Sequence, residues 1–64
     1  MKTEIQITKK QAIQLMNQLK QDINYYIHES KTDFYYSFLS KKGNVNITIY
    51  EFDKKYYLQI TSLS

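Results

Sequence analysis

The sequence predicts an α+β fold in which one amphipathic helix packs on one face of a small, mainly antiparallel sheet, in the order β-α-β-β-β. Three observations predict it. Apolar and polar residues alternate near the start of the chain, with Ile5 and Ile7 on one side and Glu4 and Gln6 on the other. A longer segment then carries apolar residues at spacings of three and four. The last half holds three short runs rich in aromatic and β-branched residues, separated by polar turn signals.

The alternating stretch from Thr3 to Thr8 reads as a short strand. Thr8-Lys9-Lys10-Gln11 follows and fits a capping box, the Thr8 hydroxyl accepting from the Gln11 amide while the Gln11 side chain reaches back. From there Ala12, Leu15, Met16, Leu19, Ile23, Tyr26 and Ile27 form a stripe about 120° wide, enough for one buried face. Tyr25 and His28 fall on the polar side of that helix, which is expected to end near Glu29, where the polar residues Ser30 to Asp33 break the period.

Three further strands are expected at Phe34 to Leu39, Val45 to Phe52 and Tyr56 to Thr61. Lys41-Lys42-Gly43-Asn44 joins the first two, with Gly43 or Asn44 able to take the positive φ of a tight hairpin. Between the last two, an even loop around Asp53 and Lys54 sets Ile49 against Leu58 and Ile47 against Ile60, whereas an odd loop would set Ile49 against Gln59. With four strands and one helix, the first strand must run parallel to a neighbour, either the second strand or the fourth.

The 64 residues fit a single domain, 1–64, with a thin core. A chain of this size buries only roughly 60% of its unfolded surface, and such folds lean on disulfides, metals or a second copy. The chain has no cysteine, and His28 is its single histidine, so disulfides and structural zinc sites are excluded and self-association remains. No apolar run is long enough to suggest a membrane span, and the lysines near Met1 precede no apolar block of the signal-peptide kind. A cytoplasmic protein without cofactor or metal is the expectation. The nine basic residues are all lysine. That Lys-, Asn-, Ile- and Tyr-rich, arginine-free composition is what AT-rich codons produce, as in a low-GC bacterium or its phages, and in the second case the location is the host cytoplasm.

Chemistry-bearing patterns are sparse. There is no glycine-rich phosphate loop, no paired-histidine metal motif and no thiol nucleophile, and the six carboxylates are dispersed along the chain. The expectation is a protein that is not an enzyme. What the alternation does gather is an outer sheet face, opposite the helix, on which Tyr35, Tyr50 and Tyr57 align in one row with Phe52 nearby. Tyrosine gives a large contact area with few rotors to freeze and is enriched at interfaces. Tyr35, Tyr50, Tyr57 and Phe52, with Tyr25 on the helix, are therefore the candidate protein-binding residues. In the expected topology, Lys9 and Lys10 at the helix start share one pole with Lys41 and Lys42 of the hairpin, a candidate anion site beside the positive end of the helix dipole.

The sequence thus points to a small homodimeric interaction module that inhibits or regulates another protein, of the kind phages and mobile elements use against host machinery, defence systems included. The alternative is a nucleic-acid-binding module stacking bases on the tyrosine row and using lysines for phosphates. The missing arginine stands against it, because arginine makes the commonest base-specific contact and the bidentate phosphate clamp.

Overall fold

The computed structural model describes residues 1–63. The chain runs β1 (Lys2–Ile7), α1 (Lys9–Lys20), β2 (Tyr25–Glu29), β3 (Tyr35–Ser40), β4 (Val45–Phe52) and β5 (Lys55–Ser62). The strands form one five-stranded sheet in the order β1-β5-β4-β3-β2. Every neighbouring pair is antiparallel. The α+β architecture with one helix on one face is as the sequence predicts.

The helix begins where the capping box sets it. Thr8 Oγ1 accepts from Gln11 N–H at 3.0 Å, and Gln11 Oε1 accepts from Thr8 N–H at 3.0 Å. It ends at Lys20, nine residues before the expected Glu29. Just beyond it, Asp22 Oδ1 accepts from the backbone N–H of Asn24 at 2.9 Å and from its side chain at 3.0 Å, a local turn that competes with helical bonding. The following Tyr-Tyr-Ile run is aromatic and β-branched, which favours a strand. Tyr25–Glu29 is therefore a fifth strand that the sequence reading folded into the helix. Ile23, Tyr26 and Ile27 satisfied a spacing of three and four by coincidence.

That extra strand changes the parity of the chain. β1 runs antiparallel to β5, and the parallel neighbour expected for it does not exist. The register between β4 and β5 is the expected one, with Ile49 facing Leu58 and Ile47 facing Ile60. Gly43 has φ +76° in the turn after β3, where Ser40 Oγ also accepts from Asn44 N–H and Val45 N–H at 3.1 Å each. The two-residue turn between β4 and β5 has both Asp53 (φ 52°) and Lys54 (φ 64°) in the left-handed region, and neither is glycine.

Ala12, Phe38 and Ile49 are fully buried between α1 and the sheet. Ala12 lets the helix approach closely. Leu15, Met16, Leu19, Tyr25, Tyr36 and Leu58 pack around this centre. Phe34 meets Tyr36 and Tyr56 edge-on, with ring centroids 5.0 and 5.1 Å apart. A helix of 12 residues spans about 18 Å, while five strands are about 24 Å wide. One helix cannot cover the inner face, and Ile5 on β1, Ile60 on β5 and Ile27 on β2 remain 50%, 41% and 44% exposed.

Candidate functional site: the open face of the sheet

The face opposite α1 carries no second layer among the described residues. Its side chains follow from the period of two along each strand and from the register across them. One row runs Gln6, Tyr57, Tyr50, Tyr35 across β1, β5, β4 and β3. The next crosses all five strands as Glu4, Gln59, Thr48, Ser37 and His28. A third runs Lys2, Thr61, Asn46, Leu39 and Tyr26.

The expected alignment of Tyr35, Tyr50 and Tyr57 is thus observed. Tyr50 and Tyr57 stack with ring centroids 5.4 Å apart and an interplanar angle of 26°. Tyr35 is tilted by 41° against Tyr50 at 6.4 Å. Glu4 is the residue that sequence reasoning missed. From the edge strand its Oε1 accepts from the Tyr50 hydroxyl at 2.5 Å and from Gln59 Nε2 at 3.1 Å. The Tyr50 ring therefore lies across β5 and is held at its far end.

That hydrogen bond to the Glu4 carboxylate is the main reason the Tyr50 phenol is pushed up from 10.0 to about 12, with desolvation and the negative charge of Glu4 adding to it. Ionising Tyr50 would remove the donor and set two anions side by side. At neutral pH the arrangement is a fixed donor and acceptor pair.

The polar row is tied down as well. Asn46 Nδ2 donates to Ser37 Oγ at 3.0 Å, and Thr48 Oγ1 donates to Asn46 Oδ1 at 3.2 Å. Thr48 is only 5% exposed although it points away from the core, because the longer side chains beside it shade it. At the rim Phe52 is 69% exposed and Tyr26 60%.

Two candidate assignments change position. Tyr25 is not on the polar side of a helix: it begins β2, on the face under α1, and packs half-buried against the core. It offers no anchor on the open face, where its neighbours Tyr26 and His28 point instead. Lys9 and Lys10 do not share a pole with Lys41 and Lys42. Ile7, just before the helix, pairs with Tyr56 at one end of β5, whereas Asn44 of the hairpin bonds Leu63 N–H at the other end. The extra strand sends β3 in the opposite direction, so the hairpin lies at the far end of the sheet from the helix start. Lys41 Nζ sits 5.5 Å from the Tyr26 ring centroid, an exposed cation–π contact. The four-lysine anion site is therefore not assembled.

The described residues contain no cluster of His, Asp and Glu able to hold a metal ion. A depression between the β2–β3 loop and the β4–β5 turn is lined by Asp33, Glu51 and Asp53 together with Ser30 and Lys54. It is open to solvent. Among the described residues no helix is long and apolar enough to cross a membrane. No protein-family model, curated protein or solved structure matches the chain.

Proposed function

We propose that this chain is a small, non-enzymatic protein-interaction module, acting as a homodimer, that holds another protein against its open sheet face and so inhibits or regulates it. The observation that carries the reading is the tyrosine row: Tyr50 is stacked on Tyr57 and bonded to Glu4. Aromatic side chains fixed before binding lose little rotamer entropy when a partner arrives, and such anchors carry most of the energy of known interfaces. Tyr35 and Phe52 extend the same surface toward the rim. The arginine-free, AT-rich composition suits a phage or mobile-element gene, and the target proposed is accordingly a component of host machinery, defence systems included.

Nucleic acid is the less favoured ligand. Glu4 lies among the tyrosines, where it would repel phosphates, and the lysine pairs stand at opposite ends of the sheet. The test is photo-crosslinking in the producing cell, with a benzophenone side chain in place of Tyr35 on the open face or of Gln14 on the exposed side of α1. A discrete protein adduct from position 35, absent from position 14, is the expected outcome. Adducts to nucleic acid from position 35 would transfer the site to the alternative reading, and protein adducts from position 14 alone would remove the sheet face from consideration.

A further inference from the structure

We propose that self-association occurs through the edge of β2. Two copies pair β2 against β2, antiparallel about a two-fold axis at Ile27, and fuse two five-stranded sheets into one. The proposal rests on the homodimer reading above and says where the contact lies.

The phase of the ladder carries the argument. Lys41 N–H donates to Asn24 O at 2.9 Å, and Ser30 N–H donates to Tyr35 O at 3.0 Å, bracketing the β2–β3 pair. In an antiparallel ladder, residues that bond a given neighbour alternate along the strand. Tyr26 and His28 thus direct their amides and carbonyls at β3, facing Leu39 and Ser37. Tyr25, Ile27 and Glu29 direct theirs to the open edge. Glu51 N–H donating to Phe34 O on the other side of β3 fixes the same phase independently.

A register centred on Ile27 uses these groups without remainder at its middle. Ile27 and the partner's Ile27 exchange N–H···O=C bonds. On either side Glu29 N–H donates to the carbonyl of the partner's Tyr25, and the amide of Tyr25 needs no partner because Asp22 O already accepts from it at 3.3 Å. Because the centre falls on a residue, paired side chains share a face and both helices lie on the same side of the fused sheet.

No like charges meet across the axis. Tyr26 lies opposite the partner's His28 on the open face, and Ile27 meets the partner's Ile27 beyond the reach of α1. The one charge on the strand that lacks a matching sign across the axis is Glu29. It is paired with Lys20 at 3.3 Å and faces the uncharged ring of the partner's Tyr25. β1, the other edge, has the opposite character. Ser62 N–H donating to Met1 O fixes its phase, so its outward amides belong to Lys2, Glu4 and Gln6. Its centred register sets two Glu4 residues opposite each other, a like-charge pair of the kind that guards sheet edges. β2 carries no lysine and leaves Tyr26 and Ile27 exposed at 60% and 44%, with Ile23 just before it at 79%.

The experiment uses the full 64-residue chain made by chemical synthesis, with a single backbone N-methyl group at Ile27 or, as control, at Glu4. Sedimentation equilibrium gives the dimer dissociation constant, and far-UV circular dichroism reports the sheet. The methyl group at Ile27 removes the two axial bonds, so the constant should rise about a hundredfold with the fold retained. The Glu4 control should match the parent. Ile27→Lys, which places two ammonium groups across the axis, gives a second reading if the methylated chain does not fold. A dimer as tight as the parent's in both Ile27 variants overturns the edge assignment while leaving the homodimer intact, and loss of the dimer only in the Glu4 control moves the contact to β1. A parent chain that is monomeric at all concentrations overturns the homodimer reading together with this one.

Discussion

The two faces of the sheet are held in order by different forces. Under α1 the sheet is apolar and its centre is dry, with Phe38 and Ile49 fully buried and Ala12 pressed against them. On the open face the rigidity comes from hydrogen bonds and ring stacking between side chains that remain partly in water, led by the contacts of Tyr50 with Tyr57 and Glu4. One face supplies stability through area removed from water, and the other supplies a fixed surface at little cost in stability. A small fold with one helix can therefore hold both faces of its sheet in order.

The sharpest break in that comparison is Phe38→Ala. It deletes the largest fully buried side chain and should cost about 3 to 5 kcal/mol, a large share of the roughly 5 to 15 kcal/mol that folded domains hold in total. Chemical denaturation followed by circular dichroism should find the chain largely unfolded at 37 °C. A stable, cooperative melt in this variant would place the core elsewhere.

Tyr57→Ala tests the other face and should have the reverse profile. Its cross-strand pairing with Tyr50 is worth only about 0.2 to 1 kcal/mol to the fold, whereas loss of an interface anchor costs on the order of 1 to 4 kcal/mol in binding. Melting and target affinity, measured on the same sample, should therefore move by unequal amounts. If both fall together, the two faces are energetically one unit.

The smallest effect concerns one proton. The folded chain holds Tyr50 above its unfolded value of 10.0, at about 12, so the stabilisation is complete below pH 10 and is lost as pH rises toward 12. Glu4→Gln keeps a side-chain acceptor and removes the charge, and the Tyr50 titration should move back toward 10.0. Tyrosinate absorbance reads this directly: the late step that belongs to Tyr50 in the parent chain should move to lower pH in the variant.

Much of this was legible in the sequence because it depends on local periods. Thr8 and Gln11 announce the helix start, and the alternation in Val45–Phe52 and Lys55–Ser62 fixes both the faces and the register, so the tyrosine row is legible in the sequence. The end of the helix could not, because Ile23, Tyr26 and Ile27 fit the helical period and the strand period alike. The informative signal was Asp22-Ile23-Asn24, two side chains that bond locally outside a helix, followed by three residues with strong strand preference. That one ambiguity propagated, since a missing strand reverses every later direction and gathered four lysines at a pole they do not share. Glu4 was hidden for a different reason. Its partners Tyr50 and Gln59 lie 46 and 55 residues away, and no local pattern reports which strand borders β1.

The position of β5 sets the order in which the structure can form. It follows all the other strands in the sequence but stands between β1 and β4 in the sheet. β2, β3 and β4 can zip as successive neighbours, each joined to the next by a short connection. β1 has nothing to pair with until β5 arrives from the other end of the chain, and closing that loop is the step with the greatest entropic cost. On this topology β1 is expected to be the last segment to gain amide protection, when it docks on β5 with Ile5 facing Leu58.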